Sequence, residues 1–299
     1  MMQSALYNEL QQKLEASIEI LPDKPEESAE SILKALWHLA AGEPMSVHKA
    51  MTLDLPVLAD DAVEQLKLFV NKRIEGIPLA HLTQRQQFMG VEMVVGAQAL
   101  VPRKETELLG YAALDKLNAV VNEQGQAKVI DVCTGSGNVA LGLAAHQEKA
   151  QVYAADLSEE AVELATQNSQ LMELDKRVHF AAGDLFAPFD QPEFYQAMDL
   201  VTCNPPYISS GKMDTMPGEI IEHEPSLAFD GGPFGINILS KLIKEAPKYL
   251  KSGSWLCFEV GLGQGEPLLK RLSKNEHYTE LDSIADDNGD VRVILAKSA

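Results

Sequence analysis

Val129-Ile130-Asp131-Val132-Cys133-Thr134-Gly135-Ser136-Gly137-Asn138-Val139-Ala140 is the stretch that decides the fold. Its first four residues read as a buried strand, its small residues as a tight turn, and the apolar run from Val139 to His146 as a helix. The texture then repeats. Gln151–Ala155 is a second strand ending at Asp156, and Ser158-Glu159-Glu160 opens the helix after it, with acids that suit a helix N-terminus. Val178–Ala182 is a third strand, ending at Gly183-Asp184, and Met198–Cys203 is a fourth, stopped at Asn204. A helix over 236–250, a strand over 254–260, a helix over 265–274 and a strand over 291–296 follow. Strands alternating with helices mean a doubly wound α/β sheet.

Upstream the pattern is helical. Leu6, Leu10 and Leu14 recur at helical spacing until Pro22 and Pro25 break it. Ile32, Leu33, Leu36, Leu39 and Ala40 form a second stripe, in which Trp37 reads as core. Asp60-Asp61 opens a third helix that Gly76 and Pro78 close. The expected division is therefore a helical domain over 1–85, a hairpin linker over 86–101 and an α/β domain over 102–299. A helix running to about Val121 begins near Thr106.

Composition narrows the class. The chain has 299 residues, too many for one minimal domain, and 45% of them are hydrophobic, enough for a full core. No apolar run approaches the roughly 20 residues needed to span a bilayer, and Met1–Leu14 lacks the apolar stretch of a signal peptide. Three cysteines without CxxC spacing fit a reducing cytosol and no metal site. The formal net charge of −19 argues against tight binding to a nucleic-acid backbone. A cytoplasmic protein, a monomer without membrane or direct nucleic-acid partners, is expected.

In a doubly wound sheet ligands bind at the carboxyl ends of the strands, so the polar residues there carry the chemistry. Gly135, Gly137 and Ala140 form a GxGxxA turn. It suits a dinucleotide pyrophosphate, the amino-acid part of S-adenosylmethionine, or a bare strand–helix turn. Asp156, about twenty residues on, can accept from ribose hydroxyls in either cofactor. Asp184 at the next strand end can accept from an adenine amino group, with Leu185-Phe186 sandwiching the ring. Asn204-Pro205-Pro206-Tyr207 is the most specific element. Two prolines give up two backbone donors and stiffen the turn, so that the Asn204 oxygen, free carbonyls and the Tyr207 ring face one spot. That set suits a planar NH2 group whose nitrogen lone pair is aimed at a methyl sulfonium, with catalysis by orientation and electrostatics. By itself the tetrapeptide fits a nucleobase amine and an amide equally well.

At this point the chain resembles the release-factor glutamine methyltransferase family over nearly its whole length. The matching segments are Gly76–Thr83, Val101-Pro102-Arg103 with Glu105-Thr106-Glu107, the Gly-rich turn, Asp156, Asp184 and the tetrapeptide. They continue with His223-Glu224-Pro225, Ala228–Gly232 and Asp290–Val293. The resemblance implies a Rossmann-like class I methyltransferase sheet. It implies S-adenosylmethionine as cofactor, and as substrate the glutamine of the Gly-Gly-Gln motif of peptide release factors. Carried over residue by residue, Thr134, Gly135, Ser136, Gly137 and Asp156 would contact the cofactor. Asp184 and Leu185 would sit at the adenine. Asn204, Pro205, Pro206 and Tyr207 would hold the glutamine, with Asn204 also bordering the cofactor and Asn204, Pro205 and Tyr207 acting catalytically. Arg103 would line the substrate opening or pair with an acid, and residues 1–85 would dock the protein substrate. Cys133, Lys104 and Phe234-Gly235-Ile236 depart from the family pattern. The related ribosomal-protein glutamine methyltransferases share the tetrapeptide, as do nucleic-acid exocyclic-amine methyltransferases.

Overall fold

The strand before the Gly-rich turn is the centre of a seven-stranded sheet. The structure is a computed structural model describing residues 2–20, 24–208, 211, 224, 225, 227, 229, 231, 232 and 235–299. His223, Ala228, Asp230 and Phe234 lie outside the described residues. The chain divides into two compact units, one containing Met1–Ala97 and Val101–Lys104, the other Gln98–Leu100, Glu105–Met216 and Glu224–Ala299.

In the first unit, helices α1 (Met2–Ser17), α2 (Ala29–Ala40), α3 (Val47–Met51), α4 (Asp60–Ile74) and α5 (Leu79–Thr83) precede a hairpin. Helix α2 is the hub. Its Ile32, Leu33, Leu36 and Trp37 are buried, as the helical spacing predicts. The Trp37 indole N–H donates to the Pro56 carbonyl at 2.8 Å, which satisfies its one polar atom. Ser28 and Ser46 cap α2 and α3 by accepting from the Ser31 and Lys49 backbone amides. Strands β1 (Arg85–Phe88) and β2 (Val91–Val94) pair antiparallel around Met89-Gly90, both at positive φ, the backbone that a two-residue hairpin turn needs.

In the second unit the strands are β3 (Ala127–Val132), β4 (Ala150–Asp156), β5 (Val178–Ala182), β6 (Met198–Cys203), β7 (Leu250–Glu259), β8 (Tyr278–Ala285) and β9 (Val291–Ser298). Their order across the sheet is β5-β4-β3-β6-β7-β9-β8. Strands β3 to β7 run parallel and β9 antiparallel to both its neighbours. Helices α6 (Glu107–Gln124), α7 (Asn138–His146), α8 (Glu159–Leu171), α9 (Asn237–Glu245) and α10 (Gly265–Leu272) complete it. The chain winds outward from β3 through β4 to β5, then returns to the other side of β3 as β6. That reversal opens a crevice at the carboxyl ends of β3 and β6, where Val132 pairs with Cys203.

The short helices α3 and α5 were not expected, and three elements of the second unit also differ from expectation. The helix foreseen over 236–250 is α9 followed by a 3₁₀ turn at Ala246–Lys248, because Pro247 has no N–H to continue the α-helix. Strand β7 starts at Leu250 rather than 254. Strand β8 was not foreseen. It is an edge strand with register shifts near both ends, so Tyr278, Leu281 and Ile284 recur every three residues and hide the alternation a strand would show.

Candidate active site

The crevice at the switch point is built from four loops of the second unit. After β3, Cys133, Gly135 and Gly137 all take positive φ (57°, 54° and 82°), which turns the chain sharply before α7. Gly137 has no room for a side chain: a first carbon there would lie 3.0 Å from the Phe180 ring and 3.1 Å from Ala165. The turn is pinned by the Thr134 N–H donating to the Ala155 carbonyl at 3.0 Å and the Asn168 side-chain amide donating to the Ser136 carbonyl at 3.1 Å. Cys133, where the resembled family usually has glycine, is thus an L-residue held in glycine's conformation, at a cost of about 1 kcal/mol.

Asp131 anchors this side from below. It is 1% exposed, and its two carboxylate oxygens accept from the Thr134 and Thr202 hydroxyls, each at 2.6 Å. Burial pushes its carboxyl up to about 6, the two hydroxyls oppose that, and the Asp156 charge adds to it. The result ties the turn after β3 to strand β6. Asp156 accepts from the Gly135 N–H at 2.8 Å and the Ser158 N–H at 3.0 Å. Each oxygen still has lone-pair capacity for a further donor. Burial raises its pKa.

Asp184 follows β5 and forms an ion pair with Lys241 at 2.5 Å. Leu185 is buried at φ 51° beside it. Phe186 does not share in a ring sandwich, contrary to expectation. Its ring is buried and stacked on Tyr249, centroids 4.5 Å apart and 12° from parallel. Aromatic burial claimed that face.

After β6, the tetrapeptide is held on every side. The Asn204 amide nitrogen donates to the Thr106 hydroxyl at 3.1 Å. The Tyr207 carbonyl accepts from the Gln264 side chain at 3.0 Å. Gly231, Gly235 and Gly261 let it lie close. First side-chain carbons at these positions would be 2.6 Å from the Pro206 oxygen, 2.1 Å from the Tyr207 oxygen and 2.9 Å from the Tyr207 ring. The Tyr207 hydroxyl points inward to Glu259, at the end of β7. Burial, with the nearby Glu259 and Glu105 charges, raises the phenol's pKa strongly, so it stays protonated. Pro205 is buried, while Asn204, Pro206 and Tyr207 are half-buried.

The sequence-predicted residues Thr134, Gly135, Ser136, Gly137, Asp156, Asn204, Pro205, Pro206 and Tyr207 thus meet around one crevice, and Asp184 and Leu185 lie at the next strand end. Arg103 belongs to the first unit and is half-buried there. Asp131, Thr202, Thr106, Glu259 and Gln264 were missed as site residues. Asp131 was legible as an acid inside an apolar strand; the others meet the site only through tertiary contact.

The methyltransferase-domain family model matches residues 123–289, more than half of the chain. The release factor glutamine methyltransferase of Bacillus anthracis is 32% identical over 229 residues, 77% of this chain and 79% of that protein. That of Geobacter sulfurreducens is 32% identical over 263 residues, 88% of each chain. The chain belongs to the release factor glutamine methyltransferase family. It is a methyltransferase. Among solved structures, the human METTL16 catalytic domain in complex with MAT2A 3′UTR hairpin 6 superposes with a TM-score of 0.53 at 13% identity, covering 70% of this chain and 76% of that one. The human methyltransferase 10 domain containing protein gives 0.52 at 14%, covering 70% and 88%. At such identities the likeness speaks to the fold, a class I Rossmann-like methyltransferase sheet.

Proposed function

We propose that this methyltransferase moves the methyl group of S-adenosylmethionine to the side-chain amide nitrogen of a glutamine, that of the Gly-Gly-Gln motif of a peptide release factor. The observation that carries this reading is the Asn204 amide. Its nitrogen is engaged by Thr106, which leaves its oxygen to accept from an incoming NH2 group.

The crevice suits the cofactor. The Ser136 hydroxyl is buried without a partner, the turn around it is made of small residues, and Asp156 has spare acceptor capacity beside it. Thr134, Gly135, Ser136, Gly137 and Asp156 would hold it, with Asp184 and Leu185 at the adenine end. When bound it supplies an electrophilic methyl on a sulfonium. Asn204 Oδ1 and a main-chain carbonyl of Asn204-Pro205 would accept the two hydrogens of the glutamine amide. This draws electron density onto the nitrogen and points its lone pair. Tyr207 and Pro206 would pack against the flat group and keep water out. No side chain need act as a strong base, since the amide proton becomes acidic only as the new bond forms. Arg103 and residues 1–85 would serve the protein substrate, and work on release factors would keep the enzyme, as a monomer, in the cytoplasm.

The test is incubation with methyl-labelled S-adenosylmethionine and purified release factors, each beside a variant with the Gly-Gly-Gln glutamine replaced by alanine. Label should appear only on the intact motif. Label on none of the release factors, or equal label on the alanine variants, would overturn the substrate assignment.

A further inference from the structure

The peptide unit by which the chain leaves the tetrapeptide is held from both sides. Its carbonyl, that of Tyr207, accepts from the Gln264 side-chain nitrogen at 3.0 Å. Its N–H, that of Ile208, donates to the Phe229 carbonyl at 3.0 Å. Gln264 meets more than this one group. The same nitrogen donates to the Gly235 carbonyl at 3.2 Å, and the side-chain oxygen accepts from the Gly261 N–H at 2.9 Å. One amide thus ties together the exit of the tetrapeptide, the segment that leads into α9 and the turn between β7 and α10.

The partners fix which way that amide faces. Carbonyls only accept and a backbone N–H only donates, so the nitrogen lies toward Tyr207 and Gly235 and the oxygen toward Gly261. The glycines leave room for it. A first side-chain carbon at Gly235 would lie 2.9 Å from the Gln264 nitrogen, and one at Gly261 would lie 3.1 Å from its oxygen. Gln264 also stands at the N-cap position of α10 without making a capping bond to that helix. Its side chain is committed to the three loops instead.

The two prolines restrict the tetrapeptide only as far as Pro206. Tyr207 is the first residue after them with ordinary backbone freedom, and the peptide unit that follows it sets its ψ. With the Tyr207 carbonyl unheld, that unit can turn, and the Tyr207 ring can shift against the Gly261 backbone. We infer that Gln264 is a positioning residue: its amide fixes the main chain of Tyr207, and through it the ring that packs on the acceptor amide. The inference rests on the reading of the tetrapeptide as the turn that receives a planar amine.

The test compares Gln264→Glu and Gln264→Met in the full-length enzyme at a pH where the new carboxyl is ionised. The carboxylate keeps the shape of Gln264 and the contact to Gly261, but it has no donor for the two carbonyls it faces. Methionine keeps the length and removes every polar contact. Each variant should lower kcat about ten- to a hundredfold, the scale of a small misplacement at a reacting group. The KM for the release factor and the calorimetric affinity for S-adenosylmethionine should stay within about threefold of the parent. A packing defect would instead spread into cofactor binding. The second readout needs no substrate: backbone amide hydrogen exchange followed by NMR. The Ile208 N–H should exchange faster than in the parent in both variants, and the Gly261 N–H in Gln264→Met alone. If the parent transfers no methyl group to any release factor, the substrate assignment falls while hydrogen exchange still decides whether Gln264 holds the turn. A kcat within about twofold of the parent in both variants, or Ile208 exchange unchanged in both, overturns the inference.

Discussion

Two buried acids flank the crevice, Asp131 in β3 and Glu259 at the end of β7, and the protein treats them differently. Asp131 receives two short hydroxyl bonds, which hold the turn after β3 against strand β6. Glu259 lies as deep but completes no ordinary hydrogen bond and stands off from its nearest cation. Burial raises both, Asp131 to about 6 and Glu259 to about 7. Both acids therefore cost stability when ionised, but Asp131 in return ties the turn after β3 to strand β6, whereas Glu259 completes no ordinary hydrogen bond.

The sharpest way to break this comparison is at Asn204 itself. Asn204→Ala should lower kcat by about a hundredfold or more, the scale of removing one aligned polar group from a transition state, and leave S-adenosylmethionine affinity nearly unchanged by calorimetry. Near-normal turnover would remove the role assigned to the amide.

Next in size is the pH dependence of stability at Glu259. Its folded pKa lies above the ordinary 4.5, so between 4.5 and about 7 the folded state holds more protons than the unfolded one. Stability therefore falls as pH rises through that window, by an amount on the order of 3 kcal/mol at 1.4 kcal/mol per unit. Glu259→Gln has no such loss. Its denaturation midpoint should exceed the parent's at pH 8, and the gap should close as pH falls toward 4.5. A parent and variant with parallel pH profiles would show that Glu259 is already well compensated.

On the other side of the crevice, Asp156→Ala should raise the cofactor requirement about ten- to a hundredfold, the worth of a charged hydrogen bond. Unchanged calorimetric affinity would count against its ribose role. The smallest effect is expected at Cys133. Glycine adopts its φ of 57° without strain, so Cys133→Gly should add about 1 kcal/mol to unfolding stability in urea. A loss of stability would mean that the Cys133 thiol packing against Cys203 outweighs the strain.

Much of this was legible in the chain as a string. The alternation of apolar strands and helices announced the doubly wound sheet, and the residues ending those strands named the crevice, because in a parallel sheet those ends converge. The tetrapeptide marked its own position, since two consecutive prolines after a strand leave few backbone choices. Strand β8 escaped because its register shifts break the period of two. Phe186 was misread because a ring following Leu185 can face the ligand or the core, and only the position of Tyr249 chooses.

By itself, then, the sequence determined the sheet, the switch point and the residues that face it, since all of these follow from local periodicity and strand ends. What only the tertiary structure decided is which way those residues point. Thr106 lies 98 positions from Asn204 along the chain, and they meet at 3.1 Å. Glu259, on β7, comes from yet another part of the chain. Whether an amide presents its oxygen or its nitrogen depends on the donors behind it, and those are brought there by the order of the strands.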